Sequence, residues 1–115
     1  LDNASYYGRI FARSGGIVEG VTDLAKERGF EAKPIAMSGL DECKKQLLML
    51  KVNKSPYNFF EGMACDGGCV NGALCLHHGP KSLTDVNKYG AMAKEKTVEN
   101  SVKLYELAKG NKSDE

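Results

Sequence analysis

The sequence predicts an α/β fold: a small, mainly parallel sheet with one βαβ crossover, flanked by helices. Three observations carry this. Two short apolar stretches, residues 35–37 and 57–63, enclose a single helical pattern, and strand–helix–strand units of that size cross over right-handed between parallel strands. Further helical patterns lie on either side of this unit. A cysteine- and glycine-rich segment starts where the second strand should end, and open α/β sheets place ligand-binding residues just past the carboxyl ends of their strands.

The elements follow in order. "YYGRIFARSGG" is aromatic and β-prone, so a short strand or extended lead-in is expected before the break at Ser14-Gly15-Gly16. "GGIVEGVTDLAKERG" is a helix, with Ile17, Val18, Val21, Leu24 and Ala25 on one face. Ser14 is expected to cap it and Gly29 to end it. Pro34 cannot donate a ladder hydrogen bond, so it should open the first strand or lie on an edge. Ser38 and Asp41 have the spacing of a capping box for the next helix. In that helix Leu40, Cys43, Leu47 and Leu50 share a side, and "VNKSP" breaks it. "YNFFEGMA" is the strongest strand. A polar loop is expected through "HHGPKSLTDVNKYG", then a last helix over residues 91–110 whose stripe from Val98 to Ala108 packs in the core. Residues 111–115 read as a polar tail, and residues 1–115 as a single domain.

Composition excludes several classes. Net charge is +1, from 16 basic and 15 acidic residues, which gives no footprint for nucleic acid or an acidic membrane surface. No apolar run nears the roughly 18 residues of a membrane span. No signal peptide is visible, and a start at Leu1 rather than Met is expected of a processed or excised piece.

Cysteine usage is the informative feature. Cys65, Cys69 and Cys75 fall within one short segment, and only Cys43 lies far away. Disulfide scaffolds spread their cysteines to staple distant loops, so clustered thiols read as metal or redox ligands in a reducing cytoplasm. Thiolates bind soft metals and iron–sulfur clusters. In Cys65-Asp66-Gly67-Gly68-Cys69 two thiols can reach one metal or one cubane if the backbone between them folds tightly, which Gly67 and Gly68 permit. Backbone N–H groups of such a loop could point at cluster sulfurs or anions. A zinc ribbon would want a second cysteine pair, which the chain does not offer. The alternative is a pair of buried thiols in a glycine turn.

"EGMACDGGCVNGA" resembles the third cysteine motif of the iron-only (FeFe) hydrogenases: a Glu, a Met two residues on, a Cys after one more residue, then x-Gly-Gly-Cys and a Gly-rich tail. "SGGIVEGV" resembles that family's Gly-Gly-Val-Met-Glu-Ala helix start, and "AMSGLDECKKQLLMLK" its strand, Ser-Gly-Leu turn and helix. The three segments occur in the family's order and cover most of residues 8–80. The resemblance implies the C-terminal portion of a hydrogenase catalytic domain, acting in reversible proton reduction and dihydrogen oxidation. It implies that Cys65 ligates the 4Fe-4S part of the active-site cluster. Cys69 would bridge it to the two-iron subcluster, Met63 would pack on the two-iron unit, and Gly67 and Gly68 would admit the cofactor. On this reading Gly68→Ala impairs cluster assembly more than folding. Implied partners are the N-terminal remainder of the catalytic domain and a ferredoxin-like electron carrier, in an anaerobic, cytoplasmic setting.

The departures are specific. The family's Thr-Ser-Cys-Cys-Pro-like and Pro-Cys-x-x-Lys-like motifs are absent, so this chain supplies about half of the cluster's protein ligands and is expected to be inactive alone. Gly72-Ala73-Leu74-Cys75-Leu76 replaces the usual Gly-Gly-Gly-Gln-Pro, which points to a divergent subgroup. The competing reading is a stand-alone iron–sulfur or metal-binding scaffold, or a dihydrogen-sensing module. Cys43 is expected to be a packed core thiol, Cys75 an incidental one, and His77 and His78 exposed. Gly15-Gly16 could meet an anion or the cluster face, or simply make a turn.

Overall fold

The structure, a computed structural model, describes residues 4–110. The α/β expectation holds. Helices α1 (Tyr6–Arg9) and α2 (Gly16–Glu27) precede strand β1 (Pro34–Ser38). Helix α3 (Leu40–Lys51) then leads to strand β2 (Phe59–Met63), a 3₁₀ turn at Cys69–Asn71, and helices α4 (Pro80–Ala91) and α5 (Val98–Gly110). β1 and β2 pair in parallel, from Pro34 opposite Phe59 to Ser38 opposite Met63. Pro34 opens its strand, where its missing N–H does no harm.

Successive residues of a strand face opposite sides. Glu61 reaches the start of α2. Its neighbour Gly62 lies beside Met37 of β1 and Cys43 of α3. The two helices therefore cover the two faces of the sheet at this end.

Four expectations fail for identifiable reasons. The aromatic stretch at residues 6–9 is a helical turn rather than a strand. The Ser5 hydroxyl oxygen accepts from the Gly8 N–H at 3.1 Å, which starts the turn, and the Tyr6 N–H donates to Glu95 O at 3.0 Å. The segment expected as a loop contains α4. Pro80 occupies its first turn, where a missing N–H is harmless. Leu83, Val86 and Gly90 form its thin inner face, and Gly90 packs on Ile10 and Tyr6.

The last helix begins at Val98, not at residue 91. Between α4 and α5 the chain buries Ala93 and offers Glu95 O to α1, and Thr97 Oγ1 accepts from the Asn100 N–H at 3.2 Å. The α5 stripe is not core: Val102, Leu104, Tyr105 and Leu107 are exposed. Ala108 is outside the described side chains, and the expected tail at residues 111–115 is outside the described residues.

On α3, Leu40, Leu47, Leu48 and Leu50 are likewise exposed, while Gln46 is buried. The core is correspondingly thin. Among the described residues the buried apolar side chains are Ile10, Met37, Met63 and Ala93. The radius of gyration is 16.8 Å, against roughly 13 Å for a compact domain of this length. The helices thus carry apolar faces that the described residues do not cover.

Ile10 is 0% exposed, between α1, α2 and α4. Ile10→Ala should lower the unfolding free energy in urea by about 2–5 kcal/mol. Val102→Ala, on the open face of α5, should change it by less than about 0.5 kcal/mol.

Candidate functional site

The site is built on the carboxyl end of β2. Glu61, 4% exposed, is a carboxylate inside a strand otherwise rich in apolar residues. Burying such a group is costly without partners. Its Oε1 accepts from the Gly15 N–H at 3.1 Å and its Oε2 from the Val18 N–H at 3.3 Å. These donors belong to the first turn of α2, whose N–H groups have no partner within the helix and sit at the positive end of its dipole. The carboxylate met by the Gly15 N–H is therefore the chain's own Glu61, while the Gly16 N–H donates to Arg13 O. Ser14 does not cap α2 as expected, since Gly15 is the N-cap and no side-chain cap bond forms.

The cysteine loop is fastened at both ends. The Ser38 hydroxyl donates to Asp66 Oδ1 at 3.0 Å and accepts from the Gly67 N–H at 2.7 Å. Ser38 thus holds the loop and does not form the expected capping box, and α3 has no side-chain cap. On the other side the Ser14 N–H donates to Gly67 O at 3.0 Å and the Val70 N–H to Ala12 O at 3.1 Å. Arg13 and Gly68 form an isolated antiparallel bridge. Gly68 has φ 98° and ψ −168°, a region essentially confined to glycine. A Cβ there would lie 2.5 Å from Ser14 N and 2.8 Å from Arg13 C. The close neighbour that requires glycine at 68 is the protein's own backbone. The N–H groups of Gly67 and Gly68 are also taken within the chain, by Ser38 Oγ and Cys65 O, and do not point at an outside ligand.

Arg13 ties this arrangement to the helices. It donates to Glu19 Oε1 on α2 at 2.7 Å and to Asn87 Oδ1 on α4 at 2.6 Å. Burial draws its pKa down and the Glu19 carboxylate pushes it up; the net direction is up, so Arg13 stays charged.

Cys65 and Cys69 line one cleft of about 370 Å³ with Met63 and Gly68. Phe11, Ile17, Gly62 and Ala64 complete it. Cys65 is half-buried and Cys69 exposed, and both are free thiols. Phe11, Ile17 and Glu61 are contributions that the cysteine spacing does not reveal. Glu61 had a signal, a lone acid in an aromatic strand. Phe11 and Ile17 had none.

The other soft ligands stand apart. Cys43 is half-buried at the ends of the strands, its Sγ 3.8 Å from Met37 O and 3.9 Å from Met63 O. The Cys75 thiol donates to Cys69 O at 3.0 Å. His77 and His78 are exposed, and His78 Nε2 lies 2.8 Å from Gly72 O, a bond that uses the Nε2 proton. A larger hollow of about 470 Å³ lies along α2 between Tyr7, Asp23 and Pro34 and contains no sulfur. There burial, and then the Asp23 carboxylate, raise the Tyr7 pKa.

The donor chemistry fits an iron–sulfur group: two thiols and a thioether on one apolar wall. The set is partial. Among the described residues no group of three or more His, Cys, Asp or Glu is arranged to hold a metal ion.

Residues 1–73 match the family described as iron only hydrogenase large subunit, C-terminal domain. Iron hydrogenase 1 of Clostridium pasteurianum is 29% identical over 140 aligned residues, which cover 86% of this chain and 24% of that protein. The chain thus spans about a quarter of that relative's length.

Gly68→Ala tests the packing of the loop. Strain and the backbone clash should lower stability by about 2–5 kcal/mol, read from urea denaturation. The loss should appear in the chain without any metal. Such a loss weighs against the expectation that the substitution impairs cluster assembly more than folding.

Proposed function

From the premise that this chain belongs to the iron-only hydrogenase family, within the C-terminal domain of its large chain, we propose that it forms one wall of a hydrogenase active site. Cys65 and Cys69 are two of the thiolate ligands of its iron–sulfur cluster, and Met63 packs against the two-iron unit. The observation that supports this is the shared cleft, in which the two thiols and Met63 face one space. When bound, the cluster supplies the redox chemistry of reversible proton reduction and dihydrogen oxidation.

The chain's own residues bind, orient and shield. Cys65 and Cys69 provide thiolates whose separation is set by the Gly67-Gly68 turn. Ser38, Arg13 and Gly68 fix that turn, so the thiolates are presented with little further ordering. Phe11, Ile17 and Met63 give the cleft an apolar wall.

Two thiolates do not complete the ligand set of a four-iron cluster. The remaining ligands come from the N-terminal remainder of the same catalytic domain. The exposed apolar faces of α3 and α5 support that reading, because contiguous apolar surface is what a covering partner buries. A ferredoxin-like carrier exchanges electrons with the assembled enzyme in the cytoplasm. A free-standing metal scaffold is less well supported, since it would need further donors beside the two thiols and none gather there among the described residues.

Anaerobic reconstitution with iron and sulfide tests the reading. The 115-residue chain alone should hold no stable four-iron cluster and show no dihydrogen turnover. In the complete reading frame, Cys65→Ala and Cys69→Ala should each lower bound iron and abolish turnover, while Cys43→Ala should leave both near the parent level. Full iron content and activity in either of the first two variants would exclude that residue as a ligand.

A further inference from the structure

Cys75 has no place in the reading above, yet its thiol reaches the main chain of Cys69. Its Sγ donates to Cys69 O at 3.0 Å. Two successive turns bring it there: the Gly72 N–H donates to Cys69 O and the Cys75 N–H to Gly72 O, each at 3.0 Å. From outside, His78 Nε2 bonds Gly72 O at 2.8 Å, and the Gly79 N–H donates to Asn71 Oδ1 at 3.0 Å. The contact limits the separation of the two Cα atoms to roughly 8 Å by standard bond lengths. A disulfide needs them within about 7 Å. Leu74 and Leu76 beside Cys75 are almost fully exposed, so nothing packs against the adjustment.

We infer that Cys69 and Cys75 form an internal disulfide when the cofactor-free chain meets a small disulfide such as oxidised glutathione, with Cys75 as the resolving thiol. The exposed Cys69 thiolate attacks one sulfur of glutathione disulfide. That S–S bond breaks, a Cys69–glutathione bond forms, and one glutathione thiolate leaves. The Cys75 thiolate then attacks the Cys69 sulfur, and the second glutathione leaves as thiolate. Two protein thiols give up two electrons and two protons, and one glutathione disulfide becomes two glutathione thiols. A neighbouring resolving thiol also stops an exposed cysteine from reaching irreversible oxidation states. The pairing itself requires no cofactor. Its consequence, that the cleft takes no cluster until the disulfide is reduced, rests on the reading of Cys69 as a ligand.

The full 115-residue chain, reduced and free of metal, is exposed anaerobically to oxidised glutathione, quenched in acid, alkylated and mapped by fragmentation mass spectrometry. The expected product is a Cys69–Cys75 crosslink, with loss of two free thiols and no retained glutathione. Cys75→Ser should instead keep glutathione on Cys69, and Cys65→Ser should still crosslink. A predominant Cys65–Cys69 crosslink, or glutathione that persists on Cys69 in the parent chain, would overturn the pairing. So would the same mixture of crosslinks in urea and in buffer, since the pairing would then owe nothing to the fold. Iron uptake is read separately, on the complete reading frame before and after dithiothreitol. Uptake should be lost while the crosslink stands and recovered on reduction. Full uptake by the crosslinked protein would overturn the ligand reading of Cys69 and leave the pairing intact.

Discussion

The buried carboxylate of Glu61 is the constraint from which the site geometry follows. A charge with 4% exposure must find donors, and the N–H groups of Gly15 and Val18 at the start of α2 provide them. Hydrogen bonds to a charged group contribute about 1.5–3 kcal/mol each. They fix where α2 begins relative to β2. With that fixed, Ile17 of α2 and Met63 of β2 must meet on one side of the sheet, and the chain leaving β2 must enter the cleft between them. Gly62, without a side chain, lies close to Cys43 and Met37 and leaves the strand end open to the cleft.

The loop that follows is held by backbone rather than by side-chain packing. Gly67 and Gly68 bond Ser38, Ser14 and Cys65, Gly68 bridges to Arg13, and the Val70 N–H donates to Ala12 O. The polar groups that could have been left open for a ligand are used to fasten the turn. Cys65 and Cys69 remain as the loop's contribution to the cleft. This arrangement trades anion-binding capacity for rigidity, and rigid presentation reduces the ordering entropy that a ligand must offset.

The sheet is legible in the sequence because its strands are short apolar runs bounded by Pro34, Gly39 and "VNKSP". The cleft is legible in part, because Cys65 and Cys69 occupy a motif whose spacing has a chemical reason. What is not legible is set by distant contacts. Ser38 has the right spacing to cap α3, but Asp66 and the Gly67 N–H compete for its hydroxyl and win. Residues 6–9 favour strand by composition, yet a capped turn puts Ile10 against Gly90. α4 carries few large apolar residues, and the small Gly90 at the contact hides the inner face. The stripes on α3 and α5 are apolar, as their spacing indicates. Their exposure is beyond such a reading, because periodicity tells which residues share a face and not whether this chain covers it.

That last gap bears on mechanism. Among the described residues, a wall with two thiols beside helices whose apolar faces lie open has the same deficit twice: too few donors for a cluster and a thin core. On the proposed reading one event repairs both. The segment that brings further cysteines to the cleft also covers α3 and α5. Apolar burial at roughly 25 cal/mol per Å² then drives an assembly whose outcome is a closed cluster site. Cluster retention and domain association become a single linked equilibrium, in which whatever strengthens one strengthens the other. Under such linkage an unassembled chain exposes Cys69 for as long as it waits, and a thiol that sits against the Cys69 carbonyl, as Cys75 does, acts during that interval rather than during turnover.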